Sequence, residues 1–112
     1  MKAKVLRVNL DSGETGVQEL DDATLRRYIG GTGLAAKILW DETGPDTGPL
    51  SPENRLVFAI GPLTGITPMS TRHVVAAISP ATGGWGQATA GGVWAKELRR
   101  AGWTGIVFQG KA

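Results

Sequence analysis

Glycine is the residue that most constrains how this chain can fold. The 112-residue sequence contains 17 glycines, and they stand at discrete places between segments with strand or helix patterns. Glycine weakens the interior of a helix or strand and suits tight turns and close backbone contacts. We therefore expect a domain built of short elements, with a glycine at many of the turns between them.

Five segments have the pattern of β-strands. Residues 3–10 alternate between two faces, with Leu6, Val8 and Leu10 on one of them, and Thr15–Leu20 returns after a turn as the second strand of a hairpin. Three further apolar runs predict buried strands. They cover residues 55–60, 74–78 and 105–109.

Helical spacing appears in three places. Asp21 or Asp22 can cap a helix that includes Leu25 and Tyr28, and a glycine cluster at 30–33 separates it from a second helical pattern over 34–42. The spacing leaves open whether these are one kinked helix or two. Residues 90–101 predict a further helix that ends before Gly102. Strand pairs interrupted by single helices indicate an α+β fold with an antiparallel or mixed sheet and two or three helices.

Charge is distributed unevenly along the chain. The net charge is +2, but residues 1–54 carry six basic and nine acidic side chains, whereas residues 55–112 carry six basic side chains and one acidic one. A basic second half favours an anionic partner on that side, although a solvated surface balanced by acids elsewhere in the fold fits equally well.

Composition excludes several kinds of chemistry. The chain has no cysteine and one histidine, His73, so it carries neither a cysteine-bound cluster nor a histidine metal cage. No run approaches the length of a membrane span or a signal peptide, and we expect a cytoplasmic location. No nucleophile stands beside a base, so no catalytic residue is predicted.

Two segments are candidates for binding an anion. The first is glycine-rich and runs over 82–92, where Gly83 and Gly84 precede Thr89 and Ala90, and Gly91 and Gly92 open the predicted helix. Backbone N–H groups at such a helix start favour anions, although tight turns explain the glycines as well. The first and second parts of the segment are expected to form one glycine-lined region.

The second candidate segment is 70–73, between two predicted strands. Arg72 can bind a phosphate or carboxylate through two parallel hydrogen bonds, with Thr71 beside it, although a solvated arginine fits the spacing too. His73 is expected to be structural or to face solvent. Trp94 is expected in the core, and Trp85 is expected to form the wall of a pocket. No nucleic-acid-binding motif accompanies these aromatic residues.

The order of the motifs resembles the N-terminal domain of the tungsten-containing aldehyde:ferredoxin oxidoreductase family. Together the matching stretches extend over nearly the whole chain. They are Arg-Val-Asn-Leu at 7–10, Tyr-Ile-Gly-Gly-Thr-Gly-Leu-Ala at 28–35, Pro-Leu-Ser-Pro-Glu-Asn-Arg-Leu at 49–56, Gly-Pro-Leu-Thr-Gly at 61–65, Ser-Pro at 79–80, Gly-Gly at 91–92, Glu-Leu-Arg-Arg-Ala-Gly-Trp-Thr-Gly-Ile-Val at 97–107 and Gly-Lys-Ala at 110–112.

The resemblance implies a function that the residues alone do not reach. Family members oxidise aldehydes to carboxylic acids and pass electrons to ferredoxin, using tungsten (molybdenum in some relatives) held by two pterins beside a [4Fe–4S] cluster. The N-terminal domain supports the bis-pterin. The family's arginine between cofactor and cluster maps onto Arg72, and the backbone segment that meets the pterin phosphates and their magnesium maps near Thr89. Threonine replaces an asparagine common in relatives, which a backbone contact tolerates and a side-chain contact does not.

The resemblance also implies that residues 1–112 are only part of such an N-terminal domain, with no second domain in the chain. The family's cluster cysteines and remaining pterin ligands lie in later domains, so a remainder of the enzyme or a cysteine-bearing subunit is the expected partner. Two alternatives remain open. One is a non-catalytic half-domain that self-associates as a homo-oligomer, and the other is a small-anion-binding module.

Overall fold

The structure is a computed structural model that describes residues 3–111. It contains six strands and three helices. They are β1 (Ala3–Asn9), β2 (Thr15–Leu20), α1 (Asp22–Tyr28), α2 (Gly31–Glu42), β3 (Arg55–Ala59), β4 (His73–Ile78), β5 (Trp85–Ala90), α3 (Trp94–Arg100) and β6 (Gly105–Gln109). Met1, Lys2 and Ala112, the last residue of the Gly-Lys-Ala motif, lie outside the described residues.

All six strands form one mixed sheet in the order β2-β1-β6-β3-β4-β5. Only β1 and β6 run parallel, and every other neighbouring pair is antiparallel. The predicted α+β class with a mixed sheet is therefore confirmed. Strand β5 is the element that the sequence pattern missed. It occupies one edge of the sheet, and β2 occupies the other.

The glycine cluster separates two helices rather than kinking one. The Asp21 side chain accepts a hydrogen bond from the Thr24 N–H at 2.8 Å, so Asp21 is the one of the two candidate aspartates that caps α1. After α1 the chain turns through Ile29 and Gly30, both at positive φ. A Cβ built on Gly33 would lie 2.2 Å from the Tyr28 carbonyl oxygen, so only glycine fits where α2 begins beneath α1.

The main core lies between α2 and one face of the sheet. Leu34, Ala35, Ile38 and Leu39 of α2 are buried against alternate residues of the strands. These strand residues are Val5, Val57, Ala59, Ala76 and Val107. Because successive side chains of a strand point to opposite faces, their neighbours in sequence belong to the second face.

Helix α3 covers one end of this second face. Ala95 and Leu98 are buried with Ile60, and Ile106 packs against them. The helix is shorter than predicted. It starts at Trp94 rather than at residue 90, because Thr89 and Ala90 pair with β4 as part of β5. Its end is as predicted, with Gly102 at φ +91°.

Candidate functional site

The candidate site lies at the end of the sheet where β4 begins and β5 ends. His73 and Ala90 are register partners in this antiparallel pair, and Val74 pairs with Thr89. Continuing that register by one residue brings Arg72 beside Gly91. We call residues 60–73 and 89–94 the Arg72 end of the sheet. Thr71, Arg72, Thr89, Ala90, Gly91 and Gly92, all predicted as cofactor-binding, lie here.

Arg72 is exposed at the start of this end and is available to an external anion. Its guanidinium makes no hydrogen bond or ion pair with any residue in the described range 3–111. Other arginines of the basic second half are engaged. Arg55 contacts Glu42, Arg99 donates to the Gly61 carbonyl, and Arg100 pairs with Glu97. An arginine fork without an internal acceptor is the arrangement that suits a phosphate.

His73 follows Arg72 and lies in an aromatic cluster. Its ring centroid is 4.6 Å from that of Trp94 and 6.4 Å from that of Phe58. The Nδ1 atom is buried and has no hydrogen-bond partner among residues 3–111. His73 was expected to be structural or to face solvent, and its ring contacts favour the structural alternative. The expectation that Trp94 lies in the core was wrong, because Trp94 is 39% exposed and covers His73 from outside.

The backbone of Thr89 faces away from the rest of the sheet. The Asn54 side chain accepts a hydrogen bond from the Ile78 N–H and donates one to the Ile78 carbonyl. Because Asn54 directly precedes β3, the N–H and carbonyl of Ile78 point towards β3. The Ser79 N–H donates to the Gly84 carbonyl, towards β5. Since antiparallel strands exchange hydrogen bonds at alternate residues, the residues of β5 that bond β4 are the even-numbered ones. The N–H and carbonyl of Thr89 therefore lie on the free edge.

Gly91 and Gly92 border open space at the same end. A Cβ built on either glycine meets no described atom within 4 Å. Gly92 has a φ of +106°, which accounts for glycine there. Gly91 has neither a positive φ nor a close neighbour, so the packing of this chain does not explain the absence of a side chain. A ligand approaching the backbone from outside would explain it.

A protein-family model described as "Aldehyde ferredoxin oxidoreductase, N-terminal domain" matches residues 5–112 of this sequence. The chain belongs to this family. The resemblance based on motif order is thereby confirmed.

Among relatives of this aldehyde ferredoxin oxidoreductase N-terminal domain, the tungsten-containing aldehyde ferredoxin oxidoreductase of Pyrococcus furiosus is 43% identical over 110 residues. The aliphatic sulfonate oxidoreductase, WOR-like subunit, of the same organism is 36% identical over 112 residues. Each match covers 97% of this chain and 18% of the relative. The chain thus spans about a fifth of the length of these relatives.

A solved structure has the same fold as this domain. It is described as the active site complex BamBC of benzoyl coenzyme A reductase in complex with 1,5-dienoyl-CoA. The matched chain is 41% identical, with a TM-score of 0.95, and the match covers all of this chain and 18% of that one. The similarity supports the α+β assignment over the full length of the domain.

The structure does not bring all the predicted site residues of the domain together. Gly83 and Gly84 form the turn between β4 and β5, at the opposite end of the strand from Ala90, about 20 Å away at the usual rise per residue. The expectation of one glycine-lined region over 82–92 was therefore wrong. The expected helix N-terminus at 89–92 was wrong as well, because an edge strand occupies the first two of these positions.

The Gly83–Gly84 turn borders a separate apolar groove. Trp85 forms part of its wall, as predicted, opposite Trp40 and Leu39 of α2. Trp40 is 86% exposed. The groove lies at the far end of β5 from Arg72 and contains no charged side chain.

Among residues 3–111, no three histidine or acidic side chains converge as a metal site. No helix within that range is long and apolar enough to cross a membrane. The free backbone edge of β5 is one contribution to the site that was not predicted from the sequence. The segment Trp-Gly-Gln-Ala-Thr-Ala alternates too weakly in hydrophobicity to indicate a strand.

Proposed function

We propose that this domain supports a tungsten bis-pterin cofactor in an enzyme that oxidises aldehydes to carboxylic acids with ferredoxin as electron acceptor. The observation that carries the proposal is Arg72, an exposed guanidinium without a partner among residues 3–111, beside the open backbone of 89–92. Within the proposal, residues 1–112 form part of the cofactor-supporting N-terminal domain.

The residues of the Arg72 end fit the phosphate-bearing part of a pterin cofactor. Arg72, which the resemblance maps between cofactor and cluster, would bind an anionic group of the cofactor such as a phosphate through two N–H groups. The Thr89 carbonyl, on the free edge of β5, would hold the magnesium ion of the cofactor, since Mg²⁺ prefers oxygen ligands. This contact uses the backbone, so it tolerates threonine in place of asparagine. Gly91 and Gly92 would let the ligand approach the main chain, with Thr71 and Ala90 as neighbours.

The bound cofactor would supply the redox chemistry, and this domain would supply position and positive charge. Tungsten is the metal named in the relatives, and molybdenum remains the alternative. A [4Fe–4S] cluster would be held outside this chain, by the remainder of the enzyme or by a cysteine-bearing subunit. We further propose a cytoplasmic location and a homo-oligomeric enzyme.

An aldehyde is the proposed substrate because four relatives at 40–43% identity are named as tungsten-containing aldehyde ferredoxin oxidoreductases. The sulfonate oxidoreductase subunit and the benzoyl coenzyme A reductase complex are named for other activities, and their identities to this chain are 36% and 41%. Similarity in this domain therefore favours a shared cofactor support more strongly than it favours a particular substrate.

The test measures tungsten, pterin and aldehyde oxidation in the intact protein that contains this chain. We expect tungsten and pterin in the wild-type protein, ferredoxin-linked aldehyde oxidation, and a loss of pterin of about tenfold or more in Arg72→Ala. Arg100→Ala is the matched control, because Arg100 is an exposed arginine whose one hydrogen-bond and ion-pair partner within residues 3–111 is Glu97. Equal pterin content in Arg72→Ala and wild type would contradict the proposed role of Arg72.

Self-association is a second candidate function, and the large exposed surface favours it. The chain exposes 6858 Å², whereas a compact monomer of its mass exposes about 5,900 Å². The excess of about 1,000 Å² matches the area that each partner contributes to a stable interface. Leu56, Phe58 and Phe108 lie on the sheet face opposite α2, where α3 covers only one end. A strictly monomeric chain by light scattering would exclude this candidate.

A further inference from the structure

We propose that Arg99 of α3 and Thr64 are positioning residues that fix the loop carrying Arg72. The inference rests on the proposed function, because it assigns these residues a role in holding Arg72 towards an anionic ligand. Neither side chain needs to touch that ligand. They act on the connection between β3 and β4, residues 60–72.

The first part of this loop is a tight turn built on Thr64. Thr64 is the buried polar side chain of the described core, at 5% exposure. Its Oγ1 accepts the Gly61 N–H at 3.1 Å, and its own N–H donates to the Gly61 carbonyl at 3.3 Å. The hydroxyl thus satisfies a backbone donor that burial would otherwise leave unpaired.

Arg99 fastens this turn to α3. Its Nη2 donates to the Gly61 carbonyl at 2.6 Å, so that carbonyl accepts from both Arg99 and Thr64. A charged donor makes the stronger kind of hydrogen bond. Gly65, at φ +76°, passes directly over the helix, where a built Cβ would lie 3.5 Å from both Arg99 Cδ and Lys96 Cα.

The turn then holds the residues that lead into Arg72. The Gly65 N–H donates to the Ser70 carbonyl at 2.7 Å, which closes the loop two residues before Arg72. Residues 66–69 form the loop that this hydrogen bond closes, and Met69 within it is 97% exposed. The contacts run from Arg99 through Gly61 and Gly65 to Ser70. The backbone just before Arg72 is therefore held in place, so Arg72 loses less conformational freedom when it binds a ligand.

Arg100 provides the comparison that separates the proposed role of Arg99 from a general effect of positive charge. Arg100 is the next residue of α3 and carries the same charge, but it pairs with Glu97 on the helix surface. Replacing Arg99 removes a donor to the loop, whereas replacing Arg100 removes only a surface ion pair. The two substitutions change net charge equally and therefore separate positioning from general electrostatic attraction.

The test uses the cofactor-free intact protein with magnesium pyrophosphate as the probe and measures its dissociation constant. We expect Arg99→Ala to weaken binding about fivefold and Arg72→Ala to weaken it more, while Arg100→Ala leaves it within about twofold. The double variant Arg72→Ala/Arg99→Ala should bind as weakly as Arg72→Ala alone, because Arg99 acts through Arg72. Additive losses would overturn the inference.

Thr64 provides a second, independent variant pair. Thr64→Ser keeps the oxygen that accepts the Gly61 N–H and should retain the affinity for pyrophosphate. Thr64→Val keeps the side-chain shape without the acceptor and should weaken binding about as much as Arg99→Ala. Amide exchange at Gly65 should accelerate in Thr64→Val and in Arg99→Ala. Unchanged exchange and affinity in both variants would overturn the inference.

The outcomes also separate this inference from the proposed function. If Arg72→Ala weakens binding and Arg99→Ala does not, the positioning role is wrong and the role of Arg72 stands. If the wild-type protein does not bind pyrophosphate, or Arg72→Ala binds as well as wild type, the proposed phosphate contact is wrong and the inference falls with it.

Discussion

The Arg7 guanidinium pairs with the Glu42 carboxylate and joins the first strand to the last turn of α2. The Nη1–Oε2 distance is 2.8 Å, and Nη2 contacts the other carboxylate oxygen. The Arg55 Nε lies 3.1 Å from Glu42 Oε1. One partly buried carboxylate therefore connects α2 to β1 and β3. Arg7 also reaches Gln109 of β6.

Glu42→Gln should destabilise the fold by about 1–2 kcal/mol, because it leaves two partly buried arginines without their anion. Urea unfolding followed by far-UV circular dichroism measures the change. Asp41→Asn is the matched control on the same helix. Its partner Lys37 lies four residues away on an exposed face, where water screens the ion pair, so the loss should be much smaller than in Glu42→Gln. Equal effects of the two substitutions would contradict this account of α2 docking.

The same carboxylate should make stability depend on pH. Burial acts to raise the pKa of Glu42, but hydrogen bonds and charges from Arg7 and then Arg55 outweigh it, and the pKa is lowered from 4.5. The unfolded chain therefore binds a proton before the folded one does. The stabilisation is present above pH 4.5 and is lost as the pH falls through the lower, folded pKa.

The measurement is the free energy of unfolding of wild type and Glu42→Gln across this acid range. The two curves should differ most near neutral pH and converge as Glu42 becomes protonated. Parallel curves at every pH would show that the ion pair does not contribute the difference.

Gly33→Ala tests whether the glycine cluster between α1 and α2 is structural. The new Cβ atom would lie 2.2 Å from the Tyr28 carbonyl oxygen, and this backbone oxygen cannot move aside as the end of a flexible side chain can. We expect a loss of about 2 kcal/mol or more in the free energy of unfolding. Gly16→Ala on β2 is the control, because open space surrounds that position. A stable Gly33→Ala variant would show that the helices can separate without cost.

Much of the fold followed from residue pattern. Strand β6 was predicted at its observed bounds and α1 with its Asp21 cap, because alternation and capping are local properties of the sequence. The start of α3 was wrong. Gly91 and Gly92 resemble a helix opening, but the two preceding residues belong to β5, which pairs with β4. Pairing of an edge strand overrides a weak local preference.

The candidate site could be predicted only in part for the same reason. Arg72 and Thr89 are 17 positions apart, and the resemblance indicated both of them. The pairing of β4 with β5 is what places them at one end of the sheet. The same pairing places Gly83 and Gly84 at the other end of the two strands. The spacing of residues within 82–92 does not indicate that separation. The role of the Gly61–Gly65 turn also depends on a tertiary contact with α3.

Gly91→Ala provides the sharpest test of the Arg72 end without changing a charge. A built Cβ meets no described atom within 4 Å and the backbone is not at positive φ, so the free energy of unfolding should change by less than about 0.5 kcal/mol. A cofactor lying against this backbone would meet the new methyl group, and we expect the pterin content of the intact protein to fall several-fold. Gly16→Ala, equally unobstructed at the opposite edge of the sheet, should leave pterin content unchanged. Loss of pterin in both variants would indicate a general effect on folding, and loss in neither would place the cofactor away from Gly91.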